Sequence, residues 1–431
     1  MKQRLRSSRL RVESIMRMKF LLAVIFAMPC TGWAEEEEDS PYEQMQVLAR
    51  AMQLIRQDFV DDKKVTYKDL TYSALRGILA DLDPHSQFME PSDFEGMQED
   101  TKSEFGGLGV VVSVEGNVLT IVAPMEDSPG FDAGLEPGDQ ILRINGESTE
   151  KLTLPEAVEK LRGEVGERVT LTVQRPSTKE LKDYPLVRQT IKVPSVKDAQ
   201  ILPNEPGGQK IGYIRVTQFN EPTASELAQA LEKLEKQGME ALVLDMRYNP
   251  GGLLGSAVDV CGLFVPPGTR IVSTEGRTPG REYSSSTRGG KVRNFPLAVL
   301  VNYASASASE IVAAALKDLG RAVVVGETTF GKGSVQSVIA MPDGSAVRLT
   351  TAKYYTPARQ VIHEKGVAPN IRAPLSPEEE TELIRARRQT RKGETPPLDL
   401  TKDSQLSRAA DALRAVLIQS ARAKAGHSSG G

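Results

Sequence analysis

Apolar residues recur at helical spacing in two stretches near the start of the chain: Leu48, Met52, Leu54 and Ile55, then Leu75, Ile78, Leu79 and Leu82. Residues 41–90 are therefore expected to be helical. Asp83-Pro84-His85-Ser86 ends the second helix, because proline restricts the residue before it. From residue 103 the pattern shortens to β-rich runs, Val110 to Val114, Val118 to Val122, Gln140 to Ile144 and Val169 to Gln174, separated by turn signals such as Glu136-Pro137-Gly138-Asp139 and Asn145-Gly146. One amphipathic helix, Leu154 to Arg162, is started by Pro155. This is the pattern of a small β-barrel-like module with a helix on its flank.

From Lys210 strands and helices alternate. Ile211 to Val216, Ala241 to Asp245, Ala298 to Val301 and Val323 to Val325 read as strands; Ser225 to Gln237, Leu253 to Val265 and Ser307 to Lys317 read as helices. Ser334 to Ala340 and Ala346 to Tyr354 form a hairpin around Pro342-Asp343-Gly344. Alternation of this kind implies a layered sheet-and-helix core. Residues 376–397 are charged and contain proline, the composition of a linker. Leu406 to Ala421 gives a last amphipathic helix with Ala410, Leu413, Val416 and Leu417 on one face, and the tail from His427 is expected to lack structure.

The 431 residues suit several domains, and 39% hydrophobic and 26% charged residues exclude a largely disordered chain or a multi-span membrane protein. The start of the chain changes the picture. Met18 to Met28 is a short apolar run after a positive charge, followed by Gly32-Trp33-Ala34 and the acidic run Glu35 to Asp39, the order of a secretory signal peptide. Removing residues 1–34, with 7 basic and 1 acidic side chains, takes the net charge from −3 to −9, which leaves no basic footprint for nucleic acid. An exported protein of the periplasm or cell envelope is expected. Cys30 lies in the segment expected to be removed, for which an uncleaved N-terminal anchor is the alternative, and Cys261, in an apolar run, reads as a buried, inert thiol. His85, His363 and His427 show no metal-ligand spacing, so no metal and no cofactor are expected.

Three segments carry candidate chemistry. After the strand ending at Asn302, Tyr303-Ala304-Ser305-Ala306-Ser307-Ala308-Ser309-Glu310 opens a helix. A serine there sits among unpaired backbone N–H groups that favour an anion, which suits a nucleophile whose substrate oxygen becomes negative. The same residues also fit a simple helix cap. Gly326-Glu327-Thr328-Thr329-Phe330-Gly331-Lys332-Gly333-Ser334-Val335-Gln336 sets one lysine between two glycines that permit close backbone approach. Held in an apolar pocket, Lys332 would lose its ammonium solvation and act as a base toward serine; a solvent-facing loop lysine is the ordinary alternative. Gln336, four residues on, could hold the amine. The third segment, Asp245-Met246-Arg247-Tyr248-Asn249-Pro250-Gly251-Gly252, is a strand, a Gly-Gly turn and a helix start. The amide of Gly251 or Gly252 could supply one oxyanion donor and that of Ala308 the other. Glu310 and Asp318 read as structural.

In this order and spacing the three segments resemble the carboxyl-terminal processing, or tail-specific, proteases. The likeness covers nearly the whole mature chain, including the Asp83-Pro84-His85-Ser86 stop and Tyr354-Tyr355-Thr356-Pro357; Ala358-Arg359-Gln360 departs from the family's more usual Ser-Gly-Arg. The resemblance implies Ser307 as nucleophile, Lys332 as general base and Gln336 as its partner. Phe105-Gly106-Gly107-Leu108-Gly109-Val110 together with Gly138-Asp139-Gln140-Ile141-Leu142-Arg143-Ile144-Asn145-Gly146 looks like a bacterial PDZ domain. Gly106, Gly107, Leu108, Gly109 and Val110 would then take a terminal carboxylate, with the ligand adding as a strand beside Val110 to Val114. Arg162 is a candidate relay from that module.

The fold class implied is α/β multidomain: a signal peptide (1–34), a helical N-terminal region (41–100) that could dimerise, a PDZ module (103–175), a crotonase-like α/β protease core (176–375), a charged linker (376–397) and a C-terminal helix (398–426) open to oligomerisation. The implied partners are protein substrates with apolar C-terminal tails, an adaptor lipoprotein and a homo-oligomer. Three other readings stand beside the protease: an inactive PDZ scaffold with a degenerate core, an acyl-CoA enzyme, since crotonase-like cores share this layering, and a Ser/His protease using His85 or His363.

Overall fold

The computed structural model describes residues 41–61, 65–115, 118–125, 128–203, 208–285, 291–389 and 397–428. The expected signal peptide lies outside them. The chain divides into two compact units, residues 1–74 and 75–431. In the first, helix Pro41–Asp58 has no buried residue, and Leu48, Leu54 and Ile55 on it are exposed. Helix Tyr67–Leu82 begins in this unit and stops before Asp83-Pro84, as the proline requires.

The core of the second unit is a six-stranded sheet in the order Val196–Ile201, Ile211–Val216, Ala241–Asp245, Leu297–Val301, Val323–Gly326 and Ile371–Arg372. Its first pair is antiparallel and the rest are parallel. Every residue of Ala241–Asp245 and of Leu297–Val301 is buried, so both faces need cover. Helices Thr223–Lys236, Leu254–Gly262 and Ala308–Asp318 supply it on one side, with Leu231, Cys261 and Val312 in a common cluster with Leu242 and Val299. On the other side Leu406, Ala409, Ala410 and Leu413 of helix Ser404–Ser428 pack with Tyr213, Val243 and Leu300. This helix, open on sequence grounds to self-association, thus spends the first half of its apolar face on its own sheet; Val416 and Ile418 remain exposed. It runs through His427 and Ser428, which were expected in an unstructured tail.

A second sheet sets Gln87–Met89 against Ala346–Tyr355, which also pairs with Ser334–Ala340 and Arg270–Gly276. The segment just after Asp83-Pro84-His85-Ser86 is therefore a strand of the core. Helix Pro91–Lys102, inside the region expected to be helical to residue 100, leads into the β-rich module, whereas strand Gln87–Met89 replaces the helix expected to run to residue 90. The module's sheet runs Val110–Glu115, Val118–Pro124, Gln140–Ile144, Arg168–Arg175 and Glu180–Val187. Ile121, Ile141 and Leu171 fill its interior with Ala157 and Leu161 of helix Leu154–Leu161. The sheet reaches Val187, past the expected edge at residue 175. A ribbon of Glu104–Gly107 with Gln189–Lys192 closes the module where the chain enters and leaves it.

The expected linker is corrected in part: residues Pro377–Gln389 form a helix. Ser376-Pro377-Glu378-Glu379 is a capping box, with Ser376 N–H donating to Glu379 at 2.8 Å and Glu379 N–H to Ser376 Oγ at 3.2 Å. Three acidic residues in the first turn suit the helix dipole. A buried ionic network ties this C-terminal segment to the sheet. Asp245 accepts from Tyr213 OH at 2.7 Å, from Arg247 at 2.7 Å and from Arg387 at 2.7 Å; Arg247 also donates to Asp403 at 2.8 Å. Burial opposes the charge on Asp245, but Arg247 and Arg387 outweigh it and hold the carboxyl well below its usual range.

Arg247→Met would leave Asp245 and Asp403 without their shared cation. A loss of about 3–5 kcal/mol in unfolding free energy is expected, measured by urea denaturation.

Candidate active site

Two tight turns at the C-terminal edge of the sheet are stitched together by buried polar groups. Asn249 is the main stitch. Its Oδ1 accepts the Gly251 N–H at 2.9 Å and its Nδ2 donates to Val216 O at 2.8 Å. Its carbonyl accepts from Ala306 N–H at 3.0 Å and Ser309 Oγ at 2.9 Å. Asn302 Oδ1 accepts the Tyr248 N–H at 2.9 Å, and Ser305 Oγ donates to Met246 O at 2.8 Å.

This sorts the three serines. Ser305 and Ser309 are fully buried and give their hydroxyls to backbone carbonyls. Ser307 alone is partly exposed, and it sits at φ 53° directly before helix Ala308–Asp318. A non-glycine residue at positive φ is strained, and such strain gathers at functional positions. Gly251, at φ 105°, backs onto this serine: a β-carbon there would lie 2.8 Å from Ser307 Cβ and 2.9 Å from the Ala308 nitrogen. Gly252 packs on the other side, where a β-carbon would meet Phe219 O at 2.1 Å. Phe219 N–H donates to Gly251 O at 2.9 Å and Leu253 N–H to Phe219 O at 2.7 Å, and the Gly252 N–H has no acceptor among the described residues. Both glycines are thus needed for close backbone approach.

The lysine segment is fastened to the serine segment by Glu310, a fully buried carboxylate. Oε2 accepts the backbone N–H of Ser307 at 2.8 Å and that of Lys332 at 2.8 Å. Oε1 accepts the Gly331 N–H at 2.7 Å and the Thr329 hydroxyl. Sharing one oxygen holds the backbones of Ser307 and Lys332 within twice 2.8 Å. The flanking glycines serve a neighbouring loop of the same chain: a β-carbon on Gly333 would meet His363 N at 2.2 Å, and one on Gly331 would lie 3.1 Å from Glu364 C.

The Lys332 side chain is half-buried, and its amine has no hydrogen-bond or ion-pair partner among the described residues. Burial, then the charge of Arg348, pushes its pKa down. His85 is also pushed down, by burial and then by Lys332. No hydrogen bond joins Lys332 to Ser307 Oγ. Nor does Gln336 reach the lysine: its Nε2 donates to Ser334 Oγ at 2.9 Å and to Thr350 Oγ1 at 3.4 Å. The structure therefore brings Ser307, Ala308, Gly251 and the Lys332 backbone together, and leaves the side chains of Lys332 and Gln336 beside them without a direct bond.

In the β-rich module, Gly106 and Gly107 lie in the ribbon paired with Gln189–Lys192, and Leu108 is buried. Val110–Glu115 is the outer strand of its sheet, paired on one edge only, and Val111 and Val114 on it are exposed. Arg162 follows the helix Leu154–Leu161. It lies 3.4 Å from Asp100 and 3.8 Å from Glu99 of helix Pro91–Lys102, with its guanidinium 4.3 Å from the Phe105 ring centroid. Asn249 and the Glu310 carboxylate, which organise the site, were not read as such from sequence. Glu310 was legible only as a structural residue and capping partner three positions after Ser307, and Asn249 only as part of a turn.

The model of peptidase family S41 matches residues 210–373, and that of the PDZ domain residues 120–175. A carboxy-terminal-processing protease of Bartonella bacilliformis is 39% identical over 360 residues, 82% of this chain and 80% of that protein. A carboxyl-terminal-processing protease of Synechocystis sp. is 38% identical over 347 residues, 76% of this chain and 80% of that protein. The carboxy-terminal processing protease CtpB of Bacillus subtilis is 38% identical, covering 80% of this chain and 70% of its own. Among solved structures, a photosystem II D1 C-terminal processing protease is 31% identical and covers 77% of this chain and 92% of its own, with a TM-score of 0.44.

Glu310→Gln would turn an N–H toward donors that now share a carboxylate. For each buried donor left without an acceptor the fold should lose about 1–3 kcal/mol, read as a lowered urea midpoint with unchanged slope.

Proposed function

Because this chain belongs to peptidase family S41 and is a serine-type peptidase of the carboxyl-terminal processing kind, we propose that Ser307 is its nucleophile and Lys332 its general base. The observation that carries this assignment is the Glu310 carboxylate, which binds the backbones of both residues while leaving the lysine amine unpaired and poorly solvated. Neutral Lys332 takes the Ser307 proton as Oγ attacks the peptide carbonyl. The oxyanion is received by the amide of Ala308, the first residue of its helix, and by the Gly251-Gly252 turn. Gly252 is the better donor of the two glycines, since the Gly251 N–H already goes to Asn249. The lysine ammonium returns its proton to the leaving amine, and water then releases the acyl group by the same route. Gln336 holds the amine once the lysine side chain swings to its oxygen.

Substrates are proteins, and in our reading they are bound through apolar C-terminal tails. The tail adds as a strand to the open edge of Val110–Glu115, with its carboxylate at the glycine loop from Gly106 to Gly109. In this reading Arg162, 3.4 Å from Asp100, passes that event to helix Pro91–Lys102. The leader-like residues 1–34 support export to the periplasm or cell envelope; no described helix is long and apolar enough to cross a membrane. The exposed apolar side chains of Pro41–Asp58 support self-association through that helix. An adaptor lipoprotein rests on the family resemblance alone. The inactive-scaffold reading finds no support among relatives that are named proteases.

Ser307→Ala and Lys332→Ala should each abolish cleavage of a fluorogenic peptide with an apolar C-terminus while the circular dichroism spectrum stays unchanged. Full cleavage by Lys332→Ala would remove the lysine from the mechanism.

The wild-type rate has a defined pH direction. Below the pKa of Lys332 the amine is protonated and cannot accept the serine proton. The rate should therefore rise with pH, with a midpoint below the ordinary lysine value of about 10.4. A rate flat from pH 6 to 10 would contradict a lysine base.

A further inference from the structure

The polar atoms around Gln336 form a directional chain that leads away from the lysine into the N-terminal part of the unit. Nε2 of Gln336 donates to Ser334 Oγ at 2.9 Å and to Thr350 Oγ1 at 3.4 Å, so Oε1 is left without a partner among the described residues. Thr350 has a single hydroxyl proton, and that proton goes to Asp83 Oδ1 at 3.2 Å. Toward Gln336, Thr350 can only accept. Asp83 is fixed in turn: Oδ1 accepts the N–H groups of His85 at 2.7 Å and Ser86 at 2.9 Å, and Oδ2 accepts Ser86 Oγ at 2.7 Å. Ser86 Oγ also accepts the Thr350 N–H at 3.1 Å, which locks the turn to the strand carrying Thr350. Burial opposes the charge on Asp83, but the bonds from Ser86, His85 and Thr350 outweigh it, and the carboxyl titrates below its usual range. It is an acceptor throughout the working pH range, so the direction of the chain is set.

We propose that Asp83 and Thr350 are positioning residues for the general base, which they serve by fixing the Gln336 amide with its oxygen, not its nitrogen, available to the Lys332 amine. This rests on Ser307 and Lys332 being nucleophile and base. A neutral amine has two N–H groups and one lone pair. Donating one N–H to Gln336 Oε1 removes its free rotation, so the lone pair can be aimed at the Ser307 hydroxyl. An amide turned the other way would present N–H groups, compete for that lone pair and repel the ammonium formed during the reaction. The charged and titratable groups that act on this corner are Arg348, on the strand of Thr350, and His85, next to Asp83, both of which interact with Lys332; His363, on the loop against Gly333, acts on His85.

The test is the rate at which a fluorophosphonate probe labels Ser307 as a function of pH in the full chain. Thr350→Val removes the hydroxyl while keeping the shape of the side chain. It should slow labelling about tenfold, the equivalent of one lost positioning hydrogen bond, and move the rising limb of the pH profile. Thr350→Ser should restore both. Asp83→Asn, which replaces the charged acceptor of the Thr350 proton by a weaker neutral one, should slow labelling in the same direction as Thr350→Val and serves in its place should that variant not fold. Wild-type rates and pH profiles in Thr350→Val and Asp83→Asn would overturn the proposal. So would equal losses in Thr350→Val and Thr350→Ser that follow a fall in melting temperature, because they mark a purely structural role. Unimpaired labelling in Lys332→Ala would instead overturn the base assignment beneath it.

Discussion

One buried carboxylate organises the candidate active site. Glu310 accepts four hydrogen bonds, from the N–H groups of Ser307, Gly331 and Lys332 and from the Thr329 hydroxyl. Two segments about twenty-five residues apart in sequence are thereby held to a single group. A charged acceptor suits this place, since a neutral side chain of similar size could not satisfy so many donors, and each donor left unpaired would carry its own desolvation penalty. The strained φ of Ser307 persists because this carboxylate on one side and Gly251 on the other over-determine the turn.

That clamp needs a rigid frame, and the sheet provides it. Parallel strands buried on both faces bring their C-terminal ends to one edge, where the turns after Ala241–Asp245 and Leu297–Val301 meet. Their mutual bonds run through buried Asn249, Asn302, Ser305 and Ser309. The C-terminal segment stabilises the same edge from outside. Helix Ser404–Ser428 covers one sheet face, and Arg247 joins Asp245 to Asp403. Glu380 of helix Pro377–Gln389 accepts from both Tyr248 OH at 2.7 Å and Tyr303 OH at 2.8 Å, one tyrosine from each turn.

The sequence was most legible where one physical signal dominated. Ile211–Val216, Ala241–Asp245 and Ser334–Ala340 were read to the residue, because apolar or alternating runs bounded by glycine, proline or charge have few other uses. The serine, the lysine and the Gly-Gly turn stood out because small residues cluster where backbones must approach closely. Long-range polar pairing was hidden. Nothing local marks Asp83 as a partner of Thr350, 267 residues away. Helix Pro377–Gln389 was lost to composition: its capping box was present in the sequence, yet a charge-rich segment with few apolar positions gives almost no periodicity. Pairing of Glu180–Val187 with Arg168–Arg175 was missed for a similar reason, since most of that strand is exposed and its alternation is weak.

The charges around Lys332 explain why the clamp is built from backbone N–H groups. A carboxylate close enough to tie the lysine loop to the serine could also pair with the amine, and that would favour the ammonium and remove the proposed base. Glu310 avoids this outcome by spending both oxygens on other donors. The directions of titration agree: an ion pair would push the glutamate down and the lysine up, whereas burial pushes Glu310 up and Lys332 down. The two groups are therefore in contact through the lysine backbone without neutralising each other. Arg348 works in the same direction, because a second cation near the amine adds to the cost of protonating it. What the site needs is an amine that loses solvation and gains no anion, and a carboxylate already committed to the backbone is the one kind of acid that can stand beside it.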